Sequence, residues 1–161
     1  MSSPWPMRTV HTVEPRIGDV VGRPVVLDYG DANAEYAALR TGALLVDQSH
    51  RDRWTLSGAR AAEMLTGLVT NDVLALGAGH GHYAATLSPK GKIVADVRVF
   101  ALDDGALLVD VPARAALGWS GVLRKYLNPR TVPYRDVSTT LRAFGVYGVR
   151  ARDAIADATG V

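Results

Sequence analysis

The chain has 161 residues, the length of one domain, and its 48% hydrophobic and 21% charged residues are typical of a globular protein. Lys and Arg number 18 against 16 Asp and Glu, and this formal net charge of +2 does not indicate a surface built for nucleic acid. The absence of cysteine excludes disulfides, thiolate metal sites and cysteine nucleophiles. Because no segment resembles a signal peptide or a membrane span, we expect a cytoplasmic protein without a membrane partner.

The first residues contain several prolines and little periodicity, so residues 1–24 are predicted to be an irregular leader before a domain over residues 25–161. A short extended piece, PVVLDY, opens that domain. Asp31 is predicted to cap a first helix over residues 34–40, with Gly42 after its last turn. Short strands are then expected at residues 43–47 and 51–57.

Ser57 is predicted to cap a second helix, over residues 59–69. A glycine-rich loop follows, and then a meander of three strands at residues 80–87, 92–102 and 106–111, joined by short turns. Pro112 suits the first position of a third helix ending near residue 127.

Two more strands are expected at residues 131–136 and 141–147, and a helical pattern begins at Val149. Because nothing follows that could pack against this last helix, we expect the chain to be a truncated part of a longer protein. The order of elements predicts an α+β fold, an antiparallel sheet with helices packed on it.

One carboxylate, Asp96, lies in the β-rich run VADVRV. In a regular hairpin with Leu87 opposite Lys92, Tyr83 would lie directly opposite Asp96 on the same face. Partial burial beside Val94 would raise the pKa of such a carboxylate and suit it for proton exchange. The alternative is a simple surface ion pair between Asp96 and Arg98, and the pattern alone leaves both open.

Four stretches of the sequence resemble a known family: EYAALRTGALLVDQS, SGARAAEMLTGLVTNDV, YAATLSPKGKIVADVRV and LRKYLNPRTVPYRDVS. They are similar to the amino-terminal domain of the aminomethyltransferase (glycine cleavage T-protein) family and its YgfZ-type relatives. The most specific parts are the triplet at residues 70–72, the strand of Tyr83 and the Gly-x-Ile-x-x-Asp pattern ending at Asp96. The resemblance implies a GcvT/TrmE-like folate-binding fold.

The resemblance also implies one-carbon transfer to or from tetrahydrofolate. Asp96 would be the catalytic or cofactor-orienting acid, although T-proteins usually have two successive aspartates where this chain has Ala95 and Asp96. The cofactor-binding residues would be Tyr83, Asn71, Asp72 and Val94, and no metal is required. Asn71 and Asp72 are also of the residue types that close a turn after a helix.

Family members are considerably longer, and part of their folate-binding surface comes from the half that this chain lacks. The implied partners are therefore folate and either a lipoyl carrier protein or a second polypeptide that supplies the other half. The alternative function is that of a non-catalytic YgfZ-type accessory protein that supports iron–sulfur enzymes. That branch has a cysteine signature in its later part, which this chain does not contain.

Other signals do not predict a site. His50, His80 and His82 could be imagined as metal ligands, but loop histidines without nearby carboxylates are far more often solvated. The basic and aromatic residues near Tyr126 and Tyr134 could stack single-stranded nucleic acid, but a solvated helix face fits the near-neutral charge better. We predict neither a metal site nor a nucleic-acid interface.

Overall fold

The computed structural model describes residues 14–160. Residues 14–48 and 143–160 belong to one compact unit, and Ser49–Arg142 form a second. In chain order the elements are β1 (Arg16–Val20), β2 (Arg23–Asp28), α1 (Ala32–Thr41), β3 (Leu44–Asp47), β4 (Asp52–Leu56), α2 (Ala61–Thr66), β5 (Gly81–Leu87), β6 (Ile93–Ala101), β7 (Leu107–Val111), α3 (Ala116–Tyr126), β8 (Tyr134–Asp136), β9 (Phe144–Tyr147) and α4 (Ala151–Thr159).

The first unit contains two antiparallel ribbons, β1–β2 and β3–β9, together with α1 and α4. The predicted cap of α1 is confirmed, because the Asp31 carboxylate accepts hydrogen bonds from the amides of Asn33 and Ala34, both at 3.0 Å. Neither α1 nor α4 contains a buried residue.

The prediction of an irregular leader is wrong over residues 16–24, which form β1 and the start of β2; residues 1–13 lie outside the described part. Val20 pairs with Arg23, so Val21 and Gly22 form a two-residue loop in which both have positive φ. Such loops usually carry Asn-Gly or Asp-Gly, and the absence of that signal explains why the sequence did not predict a hairpin.

The second unit is an antiparallel sheet in the spatial order β5–β6–β7–β4–β8. One face of this sheet packs against α2 and α3 and forms the hydrophobic core. The core's large side chains, all with less than 2% of their surface exposed, are Leu56, Leu65, Val73, Val97, Val99, Val109, Val111, Trp119, Leu123 and Val132. Full burial of each side chain stabilises the fold by about 1.5–3 kcal/mol, so this face holds the two helices against the sheet. The predicted α+β fold is confirmed.

Two helices of this unit differ from prediction. The second helix, α2, is shorter than expected and has no side-chain cap, so Ser57 does not cap it. Pro112 precedes a 3-10 turn over Ala113–Ala115 and is not the first residue of a continuous helix. Among residues 14–160, no helix is long and apolar enough to cross a membrane.

Candidate functional site

The sheet face opposite the core carries a row of polar side chains. Tyr83 of β5 pairs with Arg98 of β6. Asp110 of β7 then pairs with Arg98 on one side and with Arg53 of β4 on the other. Since residues opposed in antiparallel strands project from the same face, the four side chains follow one line across the sheet. Asp96, two residues before Arg98, projects from this face too.

The predicted pairing of Tyr83 with Asp96 is wrong, because Tyr83 pairs with Arg98 and Asp96 pairs with Ala85. The observed register of β5 on β6 differs from the predicted one by two residues, one contributed by the turn and one by a bulge in the strand. Since side chains alternate with a period of two, Tyr83 and Asp96 remain on the same face. They are diagonal neighbours, a relationship that places Cβ atoms roughly 7 Å apart.

The turn supplies the first shift. The Ser88 amide donates to the Lys92 carbonyl at 2.8 Å, so the loop has three residues, the last of which is Gly91 at φ +73°. Glycine with positive φ is the usual last residue of a three-residue hairpin loop. The strand supplies the second shift through a β-bulge, because Leu87 pairs with Ile93 whereas Thr86 pairs with Ala95.

The Asp96 side chain is exposed, so the predicted partial burial is wrong. No hydrogen bond or ion pair joins its carboxylate to another residue within 14–160. The alternative pairing with Arg98 is not formed either, since Arg98 donates from Nε to Oδ2 of Asp110 at 2.5 Å. The carboxylate is therefore exposed on the side of the sheet opposite the core.

Asp110 is the centre of a buried ion-pair cluster on this face. Its carboxylate accepts from Arg98 and also from Arg51, whose Nε lies 3.0 Å from Oδ1 and 2.7 Å from Oδ2. The side chain of Asp110 is only 5% exposed. Two guanidinium groups thus share one buried carboxylate, which holds both arginines close to the sheet.

Arg53 is 2% exposed and completes the row. Its Nη2 donates to the backbone carbonyls of Ser49 and Ser138, at 3.2 and 2.6 Å. Its Nε and Nη1 have no hydrogen-bond acceptor among the described residues. Burial lowers the pKa of Arg53, while the charges of Asp110 and Asp52 act in the opposite direction.

Thr70 and Asn71 of the Thr70-Asn71-Asp72 triplet lie against the edge of β5 that has no strand neighbour among residues 14–160. The Thr70 amide donates to the Ala85 carbonyl at 2.9 Å, and the Ala85 amide donates back to Thr70 Oγ1 at 2.9 Å. The side-chain amide of Asn71 donates to the backbone carbonyl of Tyr83 at 2.5 Å. Asn71 thus contacts the main chain of the residue that borders Asp96.

Asp72 and Val94 have structural contacts of their own. Asp72 Oδ1 accepts from the amides of Leu74 and Ala75, at 2.9 and 3.4 Å, and so closes the turn after α2. Val94 is half-buried, and a Cβ placed on Gly118 of α3 would lie 2.9 Å from its Cγ1. Val94 therefore packs against a helix. The cofactor-binding roles of both residues stay predictions.

The sequence did not single out the arginine cluster. Asp110 is one carboxylate in the β-rich run LLVDV, the same pattern that drew attention to Asp96. Arg51 and Arg53 flank Asp52 in a strand with alternating character. The sequence pattern does not predict that β7 pairs with β4, because the two strands lie about fifty residues apart in the chain. Only that pairing brings these charges together.

The histidines of β5 and the preceding loop do not form a common site with Asp96. His82 pairs with Val99 on the core face, and the His80 ring contacts the Ala78 carbonyl at 3.0 Å within its own loop. Within residues 14–160, no group of three or more His, Asp or Glu side chains is arranged to hold a metal ion.

Comparison with known proteins shows how far this architecture is shared. The chain is 28% identical to the aminomethyltransferase of Acidobacterium capsulatum over 166 aligned positions, which cover 99% of this chain and 44% of that protein. It is 36% identical to the aminomethyltransferase of Rubrobacter xylanophilus over 94 residues, or 58% of this chain and 25% of the relative. The chain spans less than half the length of these relatives.

A solved structure has the same fold. The glycine cleavage system aminomethyltransferase T of Bartonella henselae matches with a TM-score of 0.83 and 22% sequence identity, over 96% of this chain and 43% of that one. The model of the GCVT N-terminal domain family matches residues 11–161, nearly the whole chain. The chain therefore belongs to the GCVT N-terminal domain family.

Proposed function

We propose that the Tyr83–Asp96 face binds tetrahydrofolate and that the protein takes part in one-carbon transfer to or from this cofactor. Asp96 is the proposed catalytic or cofactor-orienting acid, and Tyr83 is its neighbour. The observation that carries the proposal is the exposed Asp96 carboxylate, which has no partner within residues 14–160 although Arg98 lies two residues away on the same face. A cytoplasmic location stays part of the same proposal.

The described residues fit one side of this cofactor. An ionised carboxylate accepts hydrogen bonds only, so Asp96 suits a ligand that presents N–H groups, as a reduced pterin does. Tyr83 is 67% exposed and offers an aromatic surface beside the acid. Phe100 extends this surface, because its ring lies over Gly81, where a Cβ would come within 2.4 Å of Cδ1.

Bound tetrahydrofolate would supply the nitrogen that takes up or releases the one-carbon unit. Asp96 would accept a hydrogen bond from the cofactor, orient it, and hold or release a proton at a carboxylate oxygen. Tyr83 would limit the positions that the ligand can take on the sheet. Arg98 is held by Asp110, so its charge lies beside Asp96 without neutralising it directly.

The proposed partners follow from the length of the relatives. Because the chain spans less than half of them, we propose that a second polypeptide or a longer form of the protein supplies the rest of the site. A lipoyl carrier protein is the proposed partner for the transfer reaction. The YgfZ-type accessory function shares the folate-binding step, so a binding experiment tests the step common to both functions.

The decisive experiment is calorimetric titration of tetrahydrofolate, under anaerobic conditions, into the unchanged chain and into Asp96→Asn. We expect saturable binding that the substitution weakens about tenfold or more, because a charge-assisted hydrogen bond contributes about 1.5–3 kcal/mol.

Asp104→Asn is the matched control. Asp104 Oδ1 accepts from the Ala106 amide at 3.0 Å in an exposed turn, and an asparagine oxygen keeps that contact. This control should bind like the unchanged chain. Absence of binding by the unchanged chain, or equal binding by Asp96→Asn, would contradict the proposed role of Asp96.

A further inference from the structure

β5 is an edge strand among residues 14–160, since the sheet order β5–β6–β7–β4–β8 leaves one side of it without a strand neighbour there. The residues of an edge strand direct alternate amides and carbonyls away from the sheet, where they meet water or another segment. In β5, Tyr83 and Ala85 direct such groups outward, and the triplet after α2 receives them.

Thr70 behaves like one residue of an additional strand. It exchanges two hydrogen bonds with Ala85, one through its amide and one through its hydroxyl, both at 2.9 Å. Asn71 adds a third contact, from its side-chain amide to the carbonyl of Tyr83. The three contacts fix two alternate residues of β5 against the loop, and each contributes about 0.5–1.5 kcal/mol.

These two residues of β5 are the ones that border Asp96. Ala85 lies directly opposite Asp96, and Tyr83 is its diagonal neighbour. Because Ala85 gives both of its main-chain groups to Thr70, Ala85 and Asp96 form a non-hydrogen-bonded pair, the closer of the two pair types in an antiparallel sheet. The position of Tyr83 relative to Asp96 therefore depends on a segment outside the sheet.

We propose that Asn71 is a positioning residue: it fixes the main chain of Tyr83 and so holds the phenol ring in place for a ligand bound at Asp96. The inference rests on the proposed folate-binding function and assigns Asn71 an indirect role in place of direct cofactor contact. Its side-chain amide is the donor that matters, because the Tyr83 carbonyl can only accept.

Asn71→Asp tests this inference, since it keeps the size of the side chain and replaces the donor with a second acceptor. Thr70→Val is a second variant, which removes the hydroxyl that accepts from the Ala85 amide. Two quantities are measured for each variant: the Kd for tetrahydrofolate, and the hydrogen-exchange rate of the Ala85 amide in the free chain.

The control is Asn128→Asp, the same chemical change elsewhere in the second unit. Asn128 uses its side-chain oxygen to accept from the Arg130 amide at 3.0 Å, and aspartate preserves that contact. We expect this variant to leave both quantities unchanged.

A positioning role predicts that Asn71→Asp raises the Kd about three- to tenfold, the equivalent of one hydrogen bond, and speeds exchange of the Ala85 amide. Thr70→Val should change both in the same direction. A raised Kd with unchanged exchange would mean direct ligand contact, and faster exchange with unchanged Kd would mean a purely structural role; either result overturns the inference. Absence of binding by the unchanged chain would instead overturn the proposed function itself.

Discussion

Arg98 and Asp110 face each other across β6 and β7, and the guanidinium of Arg98 donates to the Asp110 carboxylate with 2.5 Å between Nε and Oδ2. Arg51 donates to the same carboxylate from another direction. This arrangement leaves Asp96 without an ion pair to Arg98, because the guanidinium of Arg98 is bound to Asp110 instead. An exposed acid thus remains beside a fixed positive charge.

Because both arginines share the Asp110 carboxylate, loss of the carboxylate should destabilise the protein more than loss of either arginine. Asp110→Ala leaves two partly buried guanidinium groups without their common acceptor, and we expect a loss of about 3 kcal/mol in the free energy of unfolding. Arg98→Met leaves Asp110 paired with Arg51 and should cost only about 1 kcal/mol. Urea denaturation of both variants measures the difference.

Arg124→Met serves as a control for that series, because Arg124 is exposed on α3. A surface substitution of this kind should change the free energy of unfolding by about 0.5 kcal/mol or less. Equal costs for Asp110→Ala and Arg98→Met would show that the carboxylate is not shared in solution.

Two glycines of α3 form a matched pair for the contact between this helix and β6. A Cβ on Gly118 would lie 2.9 Å from Val94 Cγ1, whereas a Cβ on Gly121 would meet nothing within 4 Å. We expect Gly121→Ala to stabilise the chain by up to about 1 kcal/mol, because alanine favours the helix. Gly118→Ala has the same helical gain but should be about 1–3 kcal/mol less stable than Gly121→Ala, because it overpacks Val94.

Thermal denaturation of the two alanine variants tests this comparison. The contact also bears on the predicted folate-binding role of Val94, since a side chain wedged against α3 has limited freedom to follow a ligand. Equal stability of the two variants would mean that α3 packs less closely on β6 than the structure shows.

Acid should loosen the β1–β2 ribbon through Asp28. The Arg16 guanidinium, followed by the Gly30 amide, holds the pKa of Asp28 below its ordinary value. A lowered pKa in the folded state means that the stabilisation is complete above the unfolded value of about 3.9 and is lost as the pH falls through the folded pKa. The protection of the β1 and β2 amides, measured as their exchange rate relative to the intrinsic rate at each pH, should therefore fall below about pH 4.

Asp28→Asn removes the titrating group and keeps only one of the two oxygens, of which Oδ2 accepts from Arg16 and Oδ1 from Gly30. Exchange in the ribbon of this variant should be faster at neutral pH and should lose the part of its pH dependence that Asp28 supplies. The same acid response in both chains would assign it to other carboxylates.

Asp72 offers a test between a turn-closing and a cofactor-binding role. Asp72→Asn keeps the oxygen that accepts from Leu74 and Ala75, so a residue that only closes the turn should tolerate it without change in Kd for tetrahydrofolate. Asp72→Ala should cost about 1 kcal/mol of stability by either account, because the turn loses its acceptor. A Kd raised severalfold by Asp72→Asn would support direct contact with the cofactor.

The local patterns of the sequence predicted much of the architecture. Alternating apolar residues predicted the strands around Asp96, Asp31 predicted the start of α1, and the order of elements predicted an α+β fold. These features depend on interactions between residues close in the chain, where periodicity and capping chemistry are strong signals. The family resemblance also came from short motifs that the printed sequence contains.

The register of the hairpin, the exposure of Asp96 and the cluster around Asp110 required the tertiary structure. A three-residue loop and a β-bulge moved Tyr83 by two positions, and neither has a unique signature in the sequence. Asp110 meets Arg51 and Arg98 only because β7 lies between β4 and β6, a pairing of distant segments. The sequence by itself determined which side chains project from the face opposite the core, since alternation along a strand is local. Strand pairing across the sheet decided which of them meet.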